Sequence, residues 1–192
     1  MAKSLMPVAT AVALLLTSAP LVGKPLTIEN VELRYSVDVP GECRVEEGPG
    51  TLEAICAPDF DEAKSAELPA ATALLLEIDA ERVPADAKAY GEVEFRREIP
   101  EAVCGESDTI KVKLIDVKEV KDGPSLVYTA AVTCPEIKFL GLSERTADVR
   151  YVISPGFRYR LMARSLSRDG TAVKSAKERF LQSFKPTAEK KS

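Results

Sequence analysis

The sequence predicts an α+β domain in which helices pack on an antiparallel sheet. Apolar and polar residues alternate in several stretches, short turns rich in Gly and Pro join those stretches, and few segments carry apolar residues at helical spacing. Strands joined by short turns, with few connecting helices, argue for antiparallel pairing.

The first 23 residues, MAKSLMPVATAVALLLTSAPLVG, carry one lysine and no acid, then an apolar run from Val8 to Leu16, then small residues up to Gly23. That is the layout of a secretory signal peptide cut near Gly23. Retention as an anchor is the alternative, but Pro7, Thr10, Thr17, Ser18 and Pro20 break the run short of the ~20 clean residues a spanning helix needs. Residues 24–184 are then expected to form a single domain, and KPTAEKKS at 185–192 a disordered charged tail.

From Val31 to Val39 the alternation is strict, which predicts a half-buried strand ended by Pro40-Gly41. GECRVEEGPGTLEAICA follows as a hairpin turning at Gly48-Pro49-Gly50, and residues 57–69 as a polar excursion. Thr72 to Val83 is a strand with Leu74, Leu76 and Ile78 on one face. Pro84 to Glu98 has helical composition, with Pro84 in a first-turn position and Pro100 closing the far end. Two extended runs, 108–120 and 125–134, are joined by the turn sequence KDGP, and 146–153 and 157–166 by Ser154-Pro155-Gly156. Val173, Ala176, Phe180, Leu181 and Phe184 repeat at helical spacing over 171–184.

A hairpin turning about Pro49-Gly50 sets Cys43 opposite Cys56, at the Cα spacing of about 4.5–5.5 Å that a disulfide accepts. Cys104 and Cys134 are the leftover pair, although sequence alone allows three connectivities. A zinc site needs a closely spaced cysteine pair, which is absent, and no Cys-x-x-Cys redox motif exists. Paired cysteines fit an exported protein in an oxidising compartment, periplasmic or secreted.

The chain has 26 basic and 30 acidic residues with both signs spread along it, unlike the basic footprint of a nucleic-acid binder. It has no histidine, which removes Ser-His-Asp and Cys-His catalysis and His-ligated zinc. No metal or cofactor site is expected. Asp59, Asp61 and Glu62 form an acidic loop cluster, without the glycine-bearing loop of an EF-hand.

One constellation stands out. With the turn centred on Pro155, Val149 lies opposite Leu161 and Tyr151 opposite Tyr159, while Arg150 meets Arg160 on the other face with Arg158 and Arg164 nearby. Like charges so placed need an acidic neighbour. It is a partner protein or small anion in one reading, and Asp148, Glu144 or a carboxylate elsewhere in the fold in the other.

The order of elements, the last strand FRYRLMARS and the closing Arg179-Phe180-Leu181-x-Ser183-Phe184 resemble the PsbP family and its Ran-release-factor relatives. The resemblance implies an α/β/α sandwich around an antiparallel sheet, and action by docking to other proteins rather than by catalysis. No binding motif carries over residue by residue. A non-catalytic exported interaction or assembly module, meeting a membrane only through an envelope complex, is therefore the leading expectation. A small-molecule or lipid carrier with an apolar cavity between sheet and helix is the second, and a carboxylate hydrolase the third.

Overall fold

The computed structural model describes residues 24–56, 74–84, 92–104, 113–122, 125–134, 145–166 and 171–187, with only the backbone of 113–122. The signal segment, the 57–69 excursion with Asp59, Asp61 and Glu62, the KDGP turn's Gly123-Pro124, and the last five residues lie outside them. The described chain forms two antiparallel sheets and two helices, the α+β arrangement expected. No described helix is long and apolar enough to cross a membrane.

The small sheet contains β1 (Leu26–Asn30), β2 (Tyr35–Val39) and β10 (Lys185–Pro186), with β2 in the middle. The strand expected over 31–39 is therefore shorter and pairs with a strand before it. The alternation is real from Tyr35 on, where Tyr35, Val37 and Val39 are buried. Val31–Arg34 instead make the turn, with Val31 exposed and Arg34 in the left-handed region at φ 56°. The Asn30 side chain fixes that turn by accepting a hydrogen bond from the Leu33 amide at 2.8 Å. The chain also stays in the fold past Phe184: Lys185 and Pro186 pair with Ser36 and Tyr35, and the Thr187 amide donates to the Arg34 carbonyl.

The large sheet runs in the order β3 (Arg44–Gly48), β4 (Thr51–Cys56), β5 (Leu74–Arg82), β9 (Phe157–Leu166), β8 (Arg145–Ser154), β7 (Ser125–Cys134), β6 (Lys113–Asp122). Its β3–β4 and β8–β9 hairpins both close on a two-residue Pro-Gly turn. Gly48 pairs with Thr51 and Ser154 with Phe157, while Gly50 and Gly156 take φ 85° and 81°. Proline first and a left-handed glycine second is the type II pattern. Ala80 of β5 and Val83, just past its end, brace both turns, their amides donating to the Gly50 and Gly156 carbonyls.

The back face of the large sheet packs against the small sheet and α2 (Thr171–Ser183). Leu52, Ala54, Leu74, Leu76, Ile78, Tyr159 and Leu161 fill this core with Tyr35, Val37, Val39, Phe180 and Phe184. Phe184 stacks on Tyr35 at 5.6 Å and meets Tyr159 edge-on at 5.0 Å. Ser183 accepts from the Asp38 amide and donates to the Phe180 carbonyl, joining the end of α2 to β2. The closing Phe-Leu-x-Ser-Phe run thus supplies two core aromatics and the bridge between helix and sheet.

The front face carries α1 (Glu92–Cys104) over β7 and β8. Residues 85–91 of the expected helix lie outside the described residues, and Pro100 sits inside the helix instead of closing it. Interior proline costs about 3 kcal/mol. Phe95, Ile99 and Val103, all buried on one stripe, offset that cost, with Phe95 at 5.2 Å from Tyr128 and 4.9 Å from Tyr151. The cysteines pair as Cys43–Cys56, with Cα atoms 4.2 Å apart, and Cys104–Cys134, at 5.6 Å. The first bridge closes the β3–β4 hairpin on the back core, and the second joins the end of α1 to β7 on the front core.

Candidate functional site

Cross-strand register determines which side chains share the front face. Under α1 that face is apolar, with Tyr128, Ala130 and Val132 on β7 and Ala147, Val149 and Tyr151 on β8. From β9 out to the β3 edge it turns charged. One row runs Arg44, Ile55, Leu75, Arg164 and the next Glu46, Glu53, Glu77, Met162. A third runs Thr51, Asp79, Arg160, Tyr151, and the last pairs Glu81 with Arg158.

Alternate β5 residues Glu77, Asp79 and Glu81 point away from the apolar back core, as do Arg158, Arg160 and Arg164 on β9, and the two sets form ion pairs. Arg158 donates to Glu81 Oε2 from Nη2 at 2.6 Å and from Nε at 3.2 Å, with Glu98 of α1 at 3.9 Å. Arg160 Nε reaches Asp79 Oδ2 at 2.9 Å, and its Nη2 contacts the same oxygen. Arg164 grips both oxygens of Glu77, at 2.6 and 2.5 Å. Asp79, Glu81, Glu98, Tyr151, Arg158 and Arg160 enclose a cavity of about 250 Å³. At Arg160 burial works against the charge, but the hydrogen bond and charge of Asp79 override it and raise the guanidinium pKa above its ordinary value. Burial raises the Tyr151 hydroxyl pKa against the opposing charge of Arg160.

Three of the four expected arginines thus come together, and Arg150 does not. It pairs with Leu161, on the back face, and donates to the Leu181 carbonyl in the last turn of α2. There it satisfies a helix-end carbonyl, the electrostatically favoured place for a cation. The expected alignment is off by one residue because the turn is centred between Pro155 and Gly156. A one-residue shift moves a side chain to the other face of the sheet. Tyr151 therefore meets Arg160, not Tyr159.

The neutralising carboxylates come from β5, a strand distant in sequence. Asp148, expected beside the arginines, instead binds Lys177 of α2 at 2.8 Å on the back face; Glu144 lies outside the described residues. Lys177 is 4% exposed and also donates to Ser165 at 3.1 Å and Thr146 at 3.4 Å. This Ser-Lys contact resembles a nucleophile with its base, but Lys177 Nζ meets three oxygens at once, of Asp148, Ser165 and Thr146, which is the setting of a structural ion pair. Among the described residues no group of three or more His, Cys, Asp or Glu side chains is placed to hold a metal ion.

Sequence reading missed the row Glu46, Glu53, Glu77, three carboxylates directly opposed across three strands. Arg44 neutralises Glu46 at 2.6 Å and Arg164 neutralises Glu77, whereas Glu53 between them is exposed and in no ion pair of the described residues. Like charges directly opposed are unfavourable, so this row costs stability. The alternation in Leu75 to Glu81 shows that the acids leave the core, but not which strand they meet.

No protein-family model matches the sequence, and comparison with characterised proteins found no sequence match. Solved structures do match. Cyanobacterial PsbP from Synechocystis sp. PCC 6803 superposes with a TM-score of 0.60 at 14% identity, over 89% of this chain and 98% of that one. The chain has the PsbP-like fold. The Ran-binding protein Mog1p of Saccharomyces cerevisiae matches with a TM-score of 0.55 at 12% identity, over 85% of this chain and 95% of that one. LpqN of Mycobacterium tuberculosis, involved in cell envelope biogenesis, matches with a TM-score of 0.53 at 11% identity, over 86% and 91%.

Proposed function

We propose that this protein is an exported, non-catalytic docking module that meets a partner protein through the charged front face of β3, β4, β5 and β9. The observation that carries this reading is the glutamate row, kept at a cost to stability on the part of the front face that α1 does not cover. Among the described residues no structural role explains Glu53, because none of them brings a cation to it. A partner that brings a basic side chain to this row explains it. The stripe Arg158, Arg160, Arg164, held rigid by its β5 partners, supplies a preorganised border of opposite sign that sets register. A fold shared with a Ran-binding protein and with a protein of envelope biogenesis supports docking, and two disulfides support export.

The test is capture from the exported fraction by covalent cross-linking, comparing the natural protein with Glu53→Lys and with Arg158→Glu. Glu53→Lys relieves the like-charge row and should raise stability by roughly 0.2–1 kcal/mol in low salt. A cross-linked species lost in a variant at least as stable as the parent supports the docking face. The same species captured equally by all three proteins overturns it.

A further inference from the structure

A second site lies on the other side of the molecule, where the outer face of the small sheet meets α2. Thr27 of β1, Ser36 and Asp38 of β2, and Lys185 of β10 form one wall of a groove of about 600 Å³. Ser175, Glu178, Arg179 and Gln182, spaced as one helical stripe, form the other. Register sets these positions: Thr27 opposes Asp38, and Ser36 opposes Lys185. Ser183 holds the walls together through its bond to the Asp38 amide at 2.9 Å, so the groove is built on two rigid elements.

This lining differs from the rest of the surface in how its charges are used. Elsewhere Arg44, Arg158, Arg160, Arg164 and Lys177 each hold a carboxylate. In the groove two cations, Arg179 and Lys185, face the same space as two acids, Asp38 and Glu178, yet no ion pair joins them among the described residues. Among the described residues the Asp38 carboxylate takes a hydrogen bond only from Thr27, at 2.7 Å. Each wall carries one cation and one acid, so the groove offers both signs to a single ligand, which fits a molecule charged at both ends. The lining is charged, hydroxyl and amide, with no aromatic or aliphatic side chain, so a lipid tail finds no apolar wall here.

We propose that this groove binds a zwitterionic small molecule, a di- or tripeptide with free ends. Its ammonium lies on Asp38 and Glu178, its carboxylate on Arg179 and Lys185, and its amides against Ser36, Ser175 and Gln182. The site lies behind the large sheet from the charged docking face and does not depend on it.

The experiment is an amide chemical-shift titration of the signal-free, oxidised protein with triglycine, with triglycine acetylated and amidated at its ends, and with Glu178→Gln and Arg179→Gln variants. Triglycine should shift the amides of Ser36, Asp38, Ser183 and Lys185 saturably at millimolar concentration or below. Each variant should weaken it about tenfold, and blocking both ends by more, with melting temperatures unchanged because both side chains are exposed and in no ion pair among the described residues. No saturable shift in these residues, or equal shifts with the end-blocked peptide, overturns the proposal.

Discussion

Tyr159 and Tyr35 lie side by side in the back core, each 1% exposed, but they use their hydroxyls differently. The Tyr159 hydroxyl is shared between the Leu33 and Arg34 carbonyls, at 2.9 and 3.1 Å, and so holds the strained β1–β2 turn. The Tyr35 hydroxyl faces Asn30 but makes no hydrogen bond of ordinary geometry among the described residues. Tyr159→Phe should therefore cost about 1–2 kcal/mol, and Tyr35→Phe should be neutral or slightly stabilising. Urea midpoints measure both, and equal losses would contradict this assignment of the hydroxyls. The same burial raises both phenol pKa values from 10.0 to about 12. For Tyr35 the charge of Glu47 adds to burial, whereas for Tyr159 the charge of Arg34 opposes it. A pKa raised on folding means the unfolded chain loses its proton first. Stability is then intact below pH 10 and falls between pH 10 and 12, by up to about 1.4 kcal/mol per pH unit for each tyrosine. Unfolding followed by tyrosinate absorbance should show this window, and Tyr35→Phe should flatten the slope.

At the scale of elements, local signals were legible and distant pairings were not. The alternation from Tyr35 to Val39 and the apolar spacing of α2 placed those segments correctly, because each pattern is set by the element's own period. Pro100 misled the α1 boundary, since the contacts of Ile99 and Val103 that override a proline are tertiary. Arg150 was misplaced because one residue in a turn decides the face of a whole strand. The β5–β9 ion pairs and the polar groove join elements far apart in the chain, where no local period speaks; in the glutamate row the hairpin register alone sets Glu46 opposite Glu53, and only the pairing with Glu77 on β5 lay beyond it. Lys177 is the clearest case: no local pattern marks it for burial, yet it is 4% exposed and paired with Asp148. Asp148→Ala leaves that charge without its carboxylate and should cost toward the lower end of roughly 3–5 kcal/mol, as Asp148 is itself 43% exposed. Lys177→Met replaces the same length with an apolar chain and should cost less. Thermal or urea denaturation gives the order, and the reverse order would mean that Asp148 is not what makes the burial of Lys177 tolerable.

The whole molecule divides into two cores on either side of one sheet, and each core has its own disulfide. Cys43–Cys56 closes a loop of sequence separation 13 on the back core, and Cys104–Cys134 one of 30 on the front. Loop-closure entropy assigns about 3 kcal/mol to the first and slightly more to the second. Together that is on the order of the whole stability of a domain this size, typically about 5–15 kcal/mol. The same sequence should thus be firmly folded in an oxidising compartment and marginal in a reducing one. The oxidised protein should weigh four hydrogens less than the reduced one. Removing Cys43 and Cys56 together should lower the unfolding midpoint about as much as removing Cys104 and Cys134, and full reduction by the sum, because the pairs lie in separate cores and do not share contacts. A reduced protein that keeps the oxidised midpoint would show that packing alone holds both cores, and would take from the disulfides their weight as an argument for export.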